Sequence, residues 1–417
     1  MATIFCRPTK KPYLCEIMRV CVRTTCSNNR ATMRRNNTIG FDASNANTGN
    51  STLSSYARFI IDALADASPR HSYFRMYIPS DEQHADYERI ASKHNVESME
   101  PDGSFWRMLS GLWKIWGIGR DLERGDVELF HGLNGFIPFG LERRNIRSVV
   151  TVHSLEFLRL RGFFSPIHNL YRRAILLSSL RRADRIIAIS DMVKHDLVRY
   201  LHIDSDKIDV IYRGCPQYFS LPLSDERIKE VKERYKLPER YLLCVGTDVP
   251  RKNLGHLIET LPKIDPEISL VVVGRATSNT HHISHRIKSL GLNDRVKMLH
   301  GVADEDMPAI YKSAIAYLMP SLYEGFSSTI VEAITVGVPV IASKGSSLEE
   351  SGGPETIYLN PKDREEWAEA ITRLANDEAL RQRMIEEGKK FSSRFRRELI
   401  AYNLQNCYRR IGVDIAE

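Results

Sequence analysis

The chain has 417 residues, of which 42% are hydrophobic and 27% charged, a composition typical of a globular protein and a length that favours two domains. No run of 18 apolar residues occurs, which argues against a membrane-spanning helix, and no apolar core of a secretory signal is present. The net charge of the chain is +7, and residues 1–35, with eight Lys or Arg and one Glu, account for all of it. The remaining residues are formally neutral, so we expect no nucleic-acid partner.

The basic tail, residues 1–36, has neither helical nor strand periodicity, and we expect it to be disordered or a non-native start. Met33 opens a plausible start of its own, so residues 1–32 need not belong to the native protein. Alternatively, the tail is a basic arm that binds acidic lipid. We expect a cytoplasmic protein and leave open a peripheral contact with the inner face of the membrane.

The first predicted strand, residues 39–42, is followed by a turn-rich loop and a helix over residues 53–64. A polar loop that enters a helix at the carboxyl end of a strand is where open α/β sheets bind ligands. Gly49 is the best candidate in this loop for close approach to a phosphate.

Further strands and helices alternate up to residue 215, which predicts one doubly wound domain over residues 37–215. The strands are predicted over residues 73–78, 127–130, 148–152, 185–189 and 207–211. His153 follows one of them and would face a cleft. A lone histidine in this position is more often structural, so its assignment depends on the motifs described below.

Residues 105–118 hold three of the four tryptophans between basic residues. One interpretation is a helix that lies in a membrane interface. We favour core packing, because Phe105, Leu109, Leu112 and Trp116 form an inward stripe at helical spacing.

A second series of strands and helices predicts another α/β domain over residues 216–385, and hence a cleft between the two domains. Its strands are predicted over residues 241–245, 270–273, 296–299, 314–318 and 339–342. Residues 386–417 are predicted as a C-terminal helix that packs back across both domains.

Arg251 and Lys252 lie on the loop after the first strand of the second domain. A planar guanidinium beside an ammonium is a common way to hold phosphates. Further along, Glu324 and Glu332 enclose a Gly-Phe turn just before an apolar helix. Carboxylates beside backbone N–H groups at a helix N-terminus suit a ligand with both hydroxyls and an anion, such as a nucleotide sugar.

Four segments carry a resemblance to a known family: residues 130–135, 151–155, 245–254 and 320–342. From about residue 39 to its end the chain resembles the retaining glycosyltransferases of family 4, whose GT-B fold consists of two facing Rossmann-like domains. The spacing of Glu324 and Glu332 matches the E-x7-E motif of the family. The Pro-Arg-Lys-Asn string at residues 250–253 is most similar to mannosyltransferase-like members that build bacterial surface polysaccharide.

The resemblance implies the following roles. His153 and Glu324 are catalytic, and Arg251, Lys252 and Gly49 bind the donor diphosphate. The residues that bind the donor sugar and ribose are Glu324, Gly325, Phe326, Ser327, Ser328, Thr329 and Glu332, with Glu350 as a weaker candidate beside the nucleotide. The chain departs from the family pattern at Ser154, where an acid is usual, and at Ser327 to Thr329.

We therefore expect a retaining hexosyltransferase that uses a nucleotide diphosphate sugar, with mannose as the favoured hexose and a saccharide or lipid-linked saccharide as acceptor. We expect no cofactor and no metal, because the two cations would neutralise the leaving group. Two alternatives are kept: a GT-B epimerase acting on a nucleotide sugar, and a non-catalytic GT-B scaffold.

Overall fold

The computed structural model describes residues 37–46, 51–68, 72–79, 85–160, 163, 165–246 and 249–415. The basic tail and Gly49 lie outside these residues, so the expectations about them stay predictions. Within the described part, no helix is both long and apolar enough to cross a bilayer.

The first domain is built on a parallel sheet of seven strands in the order β3-β2-β1-β4-β5-β6-β7. These strands are β1 (Asn37–Asp42), β2 (Ser72–Tyr77), β3 (Val96–Met99), β4 (Leu129–Gly132), β5 (Arg147–Val152), β6 (Arg185–Ala188) and β7 (Ile208–Val210). The α-helices described in this domain are α1 (Thr52–Ala67), α2 (Ala85–Ala91), α3 (Ser104–Met108), α4 (Ser110–Leu112), α5 (Ile118–Arg124), α6 (Glu156–Arg159), α7 (Pro166–Arg182) and α8 (Asp191–Leu201).

The second domain repeats this plan with six parallel strands in the order β10-β9-β8-β11-β12-β13. They are β8 (Tyr241–Val245), β9 (Ser269–Val273), β10 (Val296–Leu299), β11 (Ala316–Met319), β12 (Val340–Ser343) and β13 (Ile357–Leu359). The α-helices described from residue 225 onward are α9 (Asp225–Arg234), α10 (Leu254–Thr260), α11 (Thr280–Ser289), α12 (Met307–Lys312), α13 (Ser328–Val336), α14 (Leu348–Gly352), α15 (Arg364–Asn376), α16 (Glu378–Ser392) and α17 (Arg397–Arg409).

Both sheets reverse their strand order beside their first strand, between β1 and β4 in one and between β8 and β11 in the other. Ligands of doubly wound sheets bind at this reversal, outside the carboxyl ends of the strands. The buried strands β8 and β11 flank this reversal in the second sheet, and β5 lies next to β4 in the first. Beyond the carboxyl ends of β8, β11 and β5 the chain passes into Arg251, Glu324 and His153, respectively. The fold therefore brings together side chains that lie up to 171 positions apart in the sequence.

The chain returns to the first domain through a short 3-10 turn, Ser393–Phe395. Helix α17 then packs on α1, and the Tyr408 hydroxyl lies 2.7 Å from Nδ1 of the buried His131. The Gln405 amide donates to the Ser68 hydroxyl at 2.9 Å. The last helix thus anchors the second domain to the first.

The segment with three tryptophans is not the continuous core helix that its spacing predicts. Leu109 leaves the helical conformation, and residues Trp113–Gly117 form a π-helix. These two irregularities reset the helical register, so Trp113 is the tryptophan that faces the core while Phe105, Leu112 and Trp116 are exposed. The prediction of core packing was wrong for these three residues.

Candidate functional site

A cavity of about 450 Å³ lies between the carboxyl ends of the two sheets. The first domain contributes His153 and Glu156 to its wall, and the second contributes Arg251, Lys252 and residues 324–329. The cavity thus contains most of the predicted site residues and has the size of a small-molecule site.

The loop that carries the two cations is fixed by its own backbone. Residues Pro250–Lys252 form one 3-10 turn, and Asn253 ends it in the left-handed region with φ 56°. The Asn253 amide donates to the carbonyls of Pro320 and Pro361, at 3.2 and 2.9 Å. These bonds hold the cationic turn against the loop before Glu324.

Glu324 is buried and holds both cations. Its Oε1 lies 2.7 Å from Arg251 Nη1 and 2.8 Å from Lys252 Nζ. Burial alone would raise the pKa of Glu324, but Lys252 and Arg251 outweigh burial and lower the pKa. The carboxylate is therefore charged at neutral pH and accepts hydrogen bonds.

Arg251 also reaches across the cleft, because its Nε lies 3.0 Å from Glu156 Oε2 in the first domain. One guanidinium therefore binds a carboxylate from each domain. A guanidinium has five N–H donors in a planar fork, so it can hold two acceptors at once.

His153 is neutral at physiological pH. Burial lowers the pKa of His153 to about 4, although its hydrogen bond to the Leu133 carbonyl acts in the opposite sense. That bond joins Nε2 to the carbonyl oxygen at 2.7 Å, and since a carbonyl only accepts, Nε2 must carry the proton. Nδ1 is then the acceptor of this ring.

The turn at residues 325–329 is only in part the predicted cradle of N–H groups. The Ser327 N–H donates to the Ser351 hydroxyl at 3.0 Å, so this donor is used within the protein, a correction to the prediction. Ser328 and Thr329 are the first two residues of α13, where backbone N–H groups have no acceptor within the helix. Both residues also line the cavity.

Glu332 lies one helical turn further along α13, within electrostatic range of Arg213. The Tyr311 hydroxyl donates to its Oε2 at 3.0 Å. Burial raises the pKa of Glu332 to about 7, against the lowering effect of Arg213 and of the Tyr311 hydrogen bond. Among the described residues that line the cavity, Glu332 is absent, so its predicted contact with a ribose stays a prediction.

Glu350 does not point into the cavity. Its carboxylate accepts from the backbone N–H groups of Asp191 and Met192, at 2.7 and 2.9 Å, and so caps helix α8 of the first domain. A carboxylate at a helix N-terminus is favoured by the free N–H groups and the helix dipole. The structure therefore gives Glu350 an interdomain contact in place of the predicted one beside a nucleotide.

Arg213 is a cavity residue that the sequence did not reveal. It is buried, and its guanidinium donates to the Thr52 carbonyl at 2.9 Å and to the Ser55 hydroxyl at 2.8 Å. It thus fixes the start of α1. Its position after β7, the last strand of the first sheet, was the available signal.

In the part of the chain that the structure describes, no group of three or more His, Cys, Asp or Glu side chains is arranged to hold a metal ion. His281, His282 and His285, whose spacing could have suggested zinc, are all exposed on α11.

Two family models match the chain, one for each domain. Residues 55–216 match the model described as Glycosyltransferase Family 4. Residues 225–391 match the model described as Glycosyl transferases group 1.

Several relatives are named as mannosyltransferases, among them two that act on O-antigen chains by name. The O-antigen chain mannosyltransferase RfbU of Salmonella typhimurium is 29% identical over 271 residues, which cover 64% of this chain and 69% of the relative. The O-antigen chain mannosyltransferase B of Escherichia coli is 26% identical over 296 residues, which cover 69% and 75%.

Among solved structures, sucrose-phosphate synthase from Thermosynechococcus elongatus superposes with a TM-score of 0.74 at 21% identity, covering 90% of this chain and 99% of that one. The Anabaena protein HepE in complex with UDP-glucose gives a TM-score of 0.70 at 16% identity with the same coverage. These likenesses show the fold and confirm the prediction of GT-B architecture.

Proposed function

The chain belongs to the family 4 glycosyltransferases, and on that ground we propose that it moves a hexose from a nucleoside diphosphate sugar to a saccharide or lipid-linked saccharide, with retention of configuration. The names of the relatives, two O-antigen chain mannosyltransferases, favour mannose as the hexose and surface polysaccharide as the product.

The observation that carries the proposal is the meeting of Arg251, Lys252, Glu324 and His153 at one interdomain cavity. Breaking the bond between C1 and a diphosphate leaves negative charge on the diphosphate and positive charge on the sugar ring. The cations suit the first charge, and the carboxylate suits the second charge or the sugar hydroxyls.

Arg251 and Lys252 are the groups proposed to neutralise the departing diphosphate, so no metal is required for that step. Each already binds Glu324, but each keeps further N–H donors, because an ammonium has three N–H donors and a guanidinium five. The diphosphate would bind beside the carboxylate and use the remaining donors.

Retention is proposed to follow from attack on the face that the diphosphate leaves. Glu156 and Glu324, the two carboxylates among the described residues that line the cavity, are both paired with Arg251, which disfavours either as a covalent nucleophile. The acceptor oxygen would form its bond to C1 as the C1–phosphate bond breaks. The proton of that hydroxyl would pass to the departing phosphate oxygen.

His153 is proposed to bind the sugar rather than to act as an acid. With its pKa lowered to about 4 by burial, the ring is a neutral imidazole at neutral pH, and its one N–H donates to the Leu133 carbonyl. Its Nδ1 lone pair would accept a hydrogen bond from a sugar hydroxyl and thereby orient the ring over the diphosphate.

The test is a panel of GDP- and UDP-hexoses incubated with the protein, with free sugar followed by NMR. A transferase without acceptor releases the sugar slowly and with the anomeric configuration of the donor. Glu324→Gln should abolish release, and exposed Glu369→Gln should not. A changed sugar that is still attached to the nucleotide would instead indicate an epimerase, and binding without turnover in any acceptor mixture a scaffold.

A further inference from the structure

Helix α7 exposes an apolar face to solvent. Ile167, Leu170 and Tyr171 are 82%, 69% and 64% exposed, and their spacing of three and four residues places them on one side of the helix. Phe163, just before the helix, is exposed as well. Large apolar side chains grouped on a surface mark a binding site more often than a chance arrangement.

A second apolar group lies on the irregular segment described above. Met108 is 76% and Trp116 58% exposed, together with Phe105 and Leu112. Trp116 stacks on the half-exposed Phe139 with 6.3 Å between ring centroids. The Arg182 guanidinium, at the end of α7, lies 4.1 Å from the Phe139 centroid.

Ile167 and Arg182 lie at opposite ends of α7, so the two groups are separate patches that this helix connects. We call them together the exposed apolar surface, formed by Phe105, Met108, Leu112, Trp116, Phe139, Phe163, Ile167, Leu170 and Tyr171. Helix α7 runs along it for about 25 Å, at 1.5 Å per residue.

The charge around this surface is positive. Residues 157–183 contain six arginines and no acidic residue. Arg173 and Arg181 are exposed on α7, as are Arg107 and Arg120 near the tryptophans. Of the acidic residues close by, Asp102 and Glu123 are paired with Arg124 and Arg144, and exposed Glu142 acts electrostatically on Arg182. Apolar and aromatic side chains beside exposed positive charge match the interface of an anionic bilayer.

The same helix forms part of the cavity wall. Tyr171, Arg172, Ile175 and Leu176 line the cavity, while Ile167 and Leu170 point to solvent one turn away. A molecule held in a bilayer against the exposed face could therefore place a polar head group in the cavity without leaving the lipid.

We propose that the exposed apolar surface binds an anionic lipid bilayer and that the acceptor is a lipid-linked saccharide presented at that bilayer. The bilayer contact stands independently of catalysis. The identity of the acceptor rests on the glycosyl transfer proposed above.

Flotation of the full chain with vesicles tests the contact. The wild type should float with vesicles of phosphatidylcholine and phosphatidylglycerol, and less with phosphatidylcholine alone. Ile167→Asp with Leu170→Asp should lower the bound fraction about tenfold. Leu221→Asp with Tyr402→Asp, at similarly exposed apolar positions elsewhere, should bind as the wild type does.

A series of charge-reversal variants distinguishes a specific contribution of the α7 arginines to bilayer binding from the general attraction between a basic protein, including its basic tail, and an anionic bilayer. Arg173→Glu with Arg181→Glu should weaken flotation and its dependence on salt. Lys229→Glu with Lys390→Glu, exposed residues of the second domain, changes the net charge equally and should have a smaller effect. Equal effects of the two pairs would overturn the proposal.

Two further results would also overturn it. The first is that Ile167→Asp with Leu170→Asp leaves vesicle binding unchanged. The second is that the wild type is a dimer in solution and this double variant is a monomer, which would mean that the surface binds a second copy of the chain. For the acceptor, the same variant should lose transfer to a lipid-linked saccharide in vesicles but keep donor hydrolysis. Absence of donor hydrolysis in the wild type would instead reject the proposed transferase and leave vesicle binding to be judged separately.

Discussion

A β-carbon placed on Gly325 would lie 1.9 Å from the carbonyl oxygen of His153. The two domains thus meet, at the edge of the cavity, through a residue that has no side chain. Close by, the Ser190 hydroxyl of the first domain donates to the Gly325 carbonyl at 2.7 Å. Gly325 is therefore needed for space rather than for a special backbone conformation.

Gly325→Ala should force the domains apart. The added β-carbon would collide with the backbone carbonyl oxygen of His153, and no side-chain rotation can separate these two atoms. We expect turnover to fall about a hundredfold, since a misplacement of about 1 Å has effects of that size. Rates of donor hydrolysis test this. Gly255→Ala is the control, because the nearest atom to its β-carbon would lie 4.0 Å away; a comparable loss in that variant would contradict the explanation.

Lys252→Met should weaken the binding of nucleoside diphosphates, measured by calorimetry, by about tenfold to a hundredfold. The change removes one cation and leaves Glu324 with Arg251 alone. A nucleoside without phosphates should bind with unchanged affinity. Lys263→Met is the matched control, because Lys263 pairs with Glu365 outside the cavity. Equal losses for nucleoside and nucleoside diphosphate would indicate a folding defect and not a lost phosphate contact.

Glu332 should make the free energy of unfolding depend on pH. Its pKa is about 7 in the folded protein because of burial, against an ordinary value of about 4.3. Between these values the folded state binds more protons, so the contribution of Glu332 to stability is present at pH 4 and is lost as pH rises through 7.

Comparison of the wild type with Glu332→Gln isolates this contribution. The difference in unfolding free energy, wild type minus variant, should fall by up to about 3 kcal/mol between pH 4 and pH 8. His153, whose pKa is lowered, acts with the opposite sign in both proteins and cancels in the difference. Exposed Glu369→Gln should give a difference that is flat with pH; a flat difference for Glu332→Gln would contradict the raised pKa.

Glu350→Gln should loosen the contact between the domains, because an amide caps the N-terminus of α8 less well than a carboxylate. The expected loss in unfolding free energy is about 1 kcal/mol. Small-angle X-ray scattering of the ligand-free protein should show a larger radius of gyration. Glu349→Gln, whose carboxylate accepts from Gly345 within the same loop at 3.3 Å, should leave the radius unchanged.

The central strands could be predicted because they are buried on both faces and form continuous apolar runs, as in β8 and β11. Two edge strands were missed. In β3 only Val96 is buried, and β13 has three residues, so neither gives a clear pattern. The residues at the strand ends, His153, Arg251 and Glu324, followed from the strands and from the family motif.

The partners of those residues could not be predicted in the same way. The contacts of Glu350 with α8 and of Arg251 with Glu156 depend on how two separately folded sheets face each other. The sequence pattern within each domain does not predict how the two sheets are oriented relative to each other. Arg213 was missed for a related reason, since its acceptors belong to the start of α1, 158 to 161 positions away in the chain.

The contact of Arg251 with Glu156 has a consequence for how the two substrates influence each other. A diphosphate bound to the remaining donors of Arg251 would share its positive charge with Glu156, so occupancy of the proposed donor half of the cleft would change the charge that Glu156 presents to the proposed acceptor half. Coupling of this kind is reciprocal: an acceptor that engages Glu156 would release Arg251 and raise its affinity for the diphosphate. A single arginine would thereby make the binding of one substrate favour the binding of the other.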